Sequence, residues 1–130
     1  MSHTILAFDF GEKRIGVAVG NTFLRQAQPL TTILNKSADN TFEQIGQLIK
    51  EWDAKLCVVG LPRHPDGNPH EMTKKATRFG NQLNGRLSIP VVWVDERYTS
   101  AVVGDLSGDI DAQATVMILE QYFAENGKID

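Results

Sequence analysis

Thr4-Ile5-Leu6-Ala7-Phe8-Asp9-Phe10, then Gly11-Glu12-Lys13-Arg14, then Ile15-Gly16-Val17-Ala18-Val19-Gly20 is the stretch on which the fold turns. Its opening run is apolar nearly throughout, the pattern of a strand covered on both faces at the centre of a sheet. The polar residues after it make a tight turn, and the second apolar run returns as an antiparallel partner. The central strand ends on an aspartate, at the end of a sheet where side chains meet solvent.

Working outward, a third strand is expected from about Gln26 to Leu34, at a sheet edge because Pro29 cannot donate a ladder hydrogen bond. Phe42, Ile45, Leu48, Ile49 and Trp52 then recur at helical spacing, behind an Asp39 or Asn40 cap. Lys55 to Leu61 reads as a β-branched strand, and Pro62 to Pro69 as a loop. Met72, Ala76, Phe79 and Leu83 define a second helix whose other side carries Lys74, Lys75, Arg78 and Arg86, by default a solvated face. Ile89 to Val94 is the last strand, followed at once by Asp95-Glu96-Arg97. A final helix from about Asp111 to Ala124 turns Ala114, Ile118, Leu119, Tyr122 and Phe123 to the core. The order β-β-β-α-β-α-β-α predicts an α/β fold, a mixed five-stranded sheet with helices packed on it and its later strands parallel to the first.

At 130 residues the chain has the length of one domain, 1–130, and its 42% hydrophobic and 22% charged composition is that of an ordinary globular protein. No apolar run approaches the roughly 18 residues of a bilayer span, and Met1-Ser2-His3 leads into a strand without the basic region of a signal peptide, so a soluble cytoplasmic protein with no membrane partner is expected. Cys57, the single cysteine, lies in an apolar run and reads as core. The formal charge of -3 supplies no global cationic field, so a nucleic-acid partner has to be held by a local basic patch or through metal ions.

Ligands of open α/β sheets bind beyond the carboxyl ends of the strands. Asp9 closes the first strand, Glu96 sits just past the last, and Asp111 opens the final helix. Three carboxylates in one cleft repel unless a dication neutralises them, and an all-oxygen donor set suits Mg²⁺ or Mn²⁺. Paired ions about 3.5–4 Å apart serve in-line displacement at a phosphodiester. Each acid also has a structural reading: Asp9 as a turn former, Asp111 as an N-cap, Glu96 paired with Arg97 or Arg14. His3, His64 and His70 show no zinc spacing, and neither a dinucleotide fingerprint nor a Walker loop is present.

Four ordered blocks resemble the YqgF family, ribonuclease H-like proteins described as pre-16S rRNA nucleases or Holliday junction resolvase-like proteins. They are Asp9 to Ala18, Val58-Val59-Gly60-Leu61-Pro62 with Asp66-Gly67, Asp95-Glu96-Arg97, and Asp111 with the Ala114 to Phe123 helix. The resemblance implies a ribonuclease H-like fold and metal-binding catalytic acids at Asp9, Glu96 and Asp111. It also implies nucleic-acid contacts from Lys13, Arg14 and Arg97, with Lys74, Lys75 and Arg78 more distant, while Thr99 and Ser100 match the polar residues after the family's D-E-R motif. The chain departs from the family between Ala101 and Ile110, which is short and acidic with Asp105 and Asp109, where members carry a longer helix and a basic loop. Weaker substrate grip by that loop is expected.

The leading expectation is a divalent-metal-dependent endonuclease of structured nucleic acid, acting in pre-16S rRNA processing during ribosome biogenesis. A Holliday junction resolvase and a non-catalytic RNA-binding or ribosome-assembly factor are the alternatives. Junction cleavage needs two sites and hence a homodimer, while the sequence leaves monomer and homodimer open. A nucleotide phosphotransferase of the sugar-kinase type is disfavoured by length, since those proteins close two lobes around the nucleotide.

Overall fold

A computed structural model of the chain describes residues 3–11, 13–62, 71–96 and 110–126. In chain order the elements are β1 (Thr4–Asp9), β2 (Arg14–Asn21), β3 (Gln26–Leu34), α1 (Ala38–Trp52), β4 (Ala54–Pro62), α2 (Glu71–Leu87), β5 (Val91–Glu96) and α3 (Ile110–Asn126). The strands form a five-stranded sheet in the order β3-β2-β1-β4-β5. β2 is antiparallel to β1 and to β3, whereas β4 is parallel to both β1 and β5. This is the expected mixed sheet, with the two crossover strands running in the direction of β1.

The period-two alternation of β1 divides the core. Leu6 and Phe8 point to the face covered by α1 and α2, where they join Phe42, Ile45, Phe79 and Leu83. Ile5 and Ala7 point to the other face, against Ile118, Leu119 and Phe123 of α3. Phe79 ties the first layer together, with its ring centroid 5.9 Å from that of Phe8 and 5.7 Å from that of Phe42. Cys57 is fully buried on this side, and burial pushes its thiol up to about 12, which keeps it protonated and inert.

Several local features differ from the sequence expectation. Ser37, not Asp39 or Asn40, caps α1: its hydroxyl accepts the Asn40 N–H at 3.2 Å, and Asp39 instead falls in the first turn, where a negative charge suits the helix dipole. β5 begins after Pro90 and continues through Glu96, because Leu61 and Pro62 of β4 extend the ladder to Asp95 and Glu96. Glu96 is therefore the last strand residue. The β1–β2 connection is also wider than a tight turn: their pairing stops at Asp9 and Gly16, while Arg14 and Ile15 pair with Leu34 and Ile33 of β3. Pro29 does sit on the edge strand, next to a register shift opposite Val17 and Ala18.

α2 approaches β5 closely at Gly80. A Cβ there would stand 2.7 Å from Cζ2 and 2.8 Å from Nε1 of Trp93, an indole whose nitrogen is buried without a hydrogen-bond acceptor among the described residues. Gly80→Ala ordinarily gains about 1 kcal/mol of helix propensity, but a rigid ring in its way adds about 1–3 kcal/mol of overpacking. The net expected result is a lower urea midpoint at unchanged m-value, and a raised midpoint would mean that the indole yields freely.

Candidate metal centre at the carboxyl end of the sheet

Asp9 is half-buried at the carboxyl end of β1, the central strand. Its register partner on β2 is Gly16, and the β4 residue beyond the Phe8–Val59 pair is Gly60, itself paired with Val94. Asp9 thus stands between two residues without side chains, both of them buried at this end of the sheet. Val58 and Val94 belong to the α3 face, so the two-residue period puts positions 9, 60 and 96 on that face as well.

Backbone register also gives the spacing. With β4 between them, β1 and β5 lie about 10 Å apart, and position 96 is about 7 Å farther along the strand direction than the row of Gly60 and Val94. The two acids share one end and one face without being adjacent.

The third acidic position arrives from above. Leu119 and Phe123 pack where Gly20 pairs with Ile5, at the start of β1. Ala112 and Thr115 are also buried, so the first turns of α3 are covered as well. From Leu119 back to position 111 a helix rises about 12 Å, and from Ile5 to Asp9 a strand rises about 13 Å. Position 111 lies on the helical stripe shared by the buried Thr115 and Ile118. Positions 9 and 96 share one end and one face of the sheet, and position 111 opens the helix that covers that face. Among the described residues no group of three metal-ligating side chains is found, and Glu96 and Asp111 are placed here by their backbone alone.

The basic candidates divide. Lys13, on the connection that follows Asp9, and Arg14, the first residue of β2, are exposed, and two carbonyls of that connection are tied to Asn35. The backbone N–H of Asn35 donates to the Lys13 carbonyl at 2.8 Å, and its Nδ2 donates to the Gly11 carbonyl at 3.0 Å. Gly11 is needed there because a Cβ would run into the Arg14 carbonyl. Lys74 and Arg78 are exposed on α2 and Lys75 is partly so, on the opposite face of the sheet from Asp9. Arg86 departs from the solvated-face reading: it bonds Asp39 at 3.2 Å and lies 4.8 Å over the Phe42 ring, joining α2 to α1. Arg97, Thr99 and Ser100, the acidic segment 101–109, and the proline loop with His64 and His70 lie outside the described residues.

The residues alone do not single out Gly16, Gly60 or Asn35. A glycine inside a strand pattern signals close approach, but only the register reveals that two of them flank one aspartate.

No described helix is long and apolar enough to cross a membrane. Comparison with known proteins agrees with the family resemblance. The chain is 55% identical over 125 residues to a protein of Polynucleobacter necessarius subsp. necessarius named "Putative pre-16S rRNA nuclease", covering 94% of this chain and 85% of that one. It is 56% identical over 126 residues to a protein of the same name from Paraburkholderia phytofirmans, covering 92% and 86%. In three dimensions it is similar to RuvC of T. thermophilus in complex with a Holliday junction substrate, with a TM-score of 0.58, 10% identity and 96% of both chains covered, a likeness of fold. Residues 3–125 match the model of the RuvX family, described as Holliday junction resolvase, and the chain belongs to that family.

Proposed function

We propose that this protein is a divalent-metal-dependent endonuclease that hydrolyses phosphodiester bonds of structured nucleic acid, with precursor 16S rRNA as its substrate. The observation that carries this reading is the position of Asp9, at the end of the central strand between Gly16 and Gly60, at the same end and face as position 96 and on the face that the helix opened by position 111 covers. The names of its relatives point the same way.

Asp9, Glu96 and Asp111 are the residues that would hold Mg²⁺ or Mn²⁺, since carboxylate oxygens are the donors hard dications prefer. The separation of β1 from β5 suits a pair of ions better than direct carboxylate contact. When bound, such ions neutralise the acids, lower the pKa of attacking water and stabilise the departing oxygen. The chain's own cations do the rest. Lys13, on the connection braced by Asn35, and Arg14, the first residue of β2, follow Asp9 and are set to meet phosphate oxygens, with Arg97 beside Glu96 in the same role. The first turn of α3 adds the positive end of a helix dipole near position 111.

Titration of Mg²⁺ or Mn²⁺ into the protein with a structured RNA carrying the 16S precursor ends tests the reading. Metal-dependent cutting that leaves 5′-phosphate products is the expected result. Tight binding with no cutting at any metal concentration overturns it in favour of a non-catalytic RNA-binding or assembly factor. Preferential cutting of a four-way DNA junction by a dimer would make the protein a resolvase instead.

A further inference from the structure

Phe10 follows Asp9 directly but packs on the other side of the sheet, against the layer of α1 and α2. There Phe10, Asn35, Lys75, Arg78, Phe79 and Gln82 line an open cavity of about 290 Å³. Its chemistry is mixed. Lys75 and Arg78 are one helical turn apart on α2, so they present charge on one side of it. Phe79, only 3% exposed, backs Phe10 with ring centroids 4.9 Å apart and planes inclined by 36°. Phe10 is thereby a supported aromatic surface and not a loose side chain.

The wall opposite α2 is also fixed. Asn35 uses its Nδ2 to hold the Gly11 carbonyl at 3.0 Å, and its Oδ1 accepts the hydroxyl of the buried Thr41 at 3.0 Å. The same bonds anchor the connection that leaves Asp9, so cavity and candidate metal centre share one brace.

Resting on the nuclease reading above, we propose that this cavity receives one unpaired nucleotide adjoining the scissile phosphodiester, its phosphate on Lys75 and Arg78 and its base against Phe10. Cations beside an aromatic ring are what a single strand needs, because an unpaired base offers its π-face and a paired, stacked one does not. The volume lies at the small end of ligand pockets and has room for a single base. Asp9 and Phe10 are consecutive residues that turn to opposite faces, so a strand that rounds this end of the sheet passes from the candidate metal centre to the cavity.

The test uses the full chain carrying Asp9→Asn, without divalent ions, so that binding is read apart from cleavage. Fluorescence anisotropy over a range of salt concentrations compares an RNA hairpin bearing an unpaired flank with the blunt stem alone. Adding Phe10→Leu is expected to weaken binding of the flanked hairpin about tenfold, with the salt slope and the blunt stem's affinity unchanged. Adding Lys75→Gln with Arg78→Gln is expected to lower the salt slope by about 0.7, one single-strand phosphate contact. These two changes lie outside the core, so they carry the test even if Phe10→Leu does not fold. Unchanged affinity and slope in all variants, or an equal loss on the blunt stem, overturns the proposal. If the wild-type chain shows the expected binding pattern and yet never cuts with Mg²⁺, the nuclease reading fails and the nucleotide cavity stands.

Discussion

Asp9→Asn is expected to abolish metal-dependent cleavage, lowering the rate by about 10³-fold or more while the fold is kept. The magnitude follows from the several kcal/mol that a correctly held dication contributes to charge stabilisation in the transition state, with each 1.36 kcal/mol worth about tenfold in rate. An asparagine keeps one oxygen and the shape of the side chain, but it removes the charge that holds the ion. The fold should survive because Asp9 lies at the strand end between two glycines, outside both core layers. Where the three acids gather as proposed, removing one negative charge in the absence of metal relieves repulsion, so the apo variant should melt at or slightly above the wild-type temperature. With Mg²⁺ or Mn²⁺ the order should reverse, because an ion that binds only the native state stabilises the wild type. Undiminished cleavage by the variant would remove Asp9 from the mechanism. Equal metal-induced stabilisation of both proteins would remove it from the metal site.

Phe8→Ala is expected to cost about 3–5 kcal/mol of stability, a large share of the roughly 5–15 kcal/mol that holds a domain folded. Phe8 is fully buried on the central strand, and its ring meets that of Phe79 edge-on, with planes at 72°. β1 is hydrogen-bonded on both sides and cannot collapse into the space, so the vacated volume stays as a cavity. Urea unfolding followed by tryptophan fluorescence measures the loss. A cost under about 1 kcal/mol would mean that the layer of Phe42, Phe79 and Leu83 repacks, contrary to the close-packed core described above. Because Phe8 precedes Asp9, the variant also reports whether the metal centre needs the strand beneath it: at temperatures where it is still folded, its cleavage should remain within about an order of magnitude of wild type.

Much of the fold is legible along the chain. The continuous apolar run of β1, the return of β2, the edge proline at Pro29 and the helical stripe of Phe42, Ile45, Leu48 and Ile49 are local patterns, and they produced the observed order of elements. What misled was also local. Ser37, Asp39 and Asn40 are all residue types that cap well, and only backbone geometry selects Ser37, whose hydroxyl faces the Asn40 N–H. Glu96 was set past its strand because the ladder that carries β5 to its end is supplied by β4, far away in sequence.

The residue types by themselves determined that acids stand at the end of the first strand, after the last and at the head of the final helix, and that an oxygen-seeking ion is the fitting neighbour for them. The arrangement of strands decided the rest: that β4 separates two of those acids, that glycines from two different strands flank Asp9, and that Phe10 shares a cavity with Asn35 and the cations of α2. Periodicity records which face a residue turns toward, because that depends on its immediate neighbours in the chain. Which residues meet across a sheet depends on pairing register, which is set by packing between segments distant in sequence and leaves no trace within any one of them.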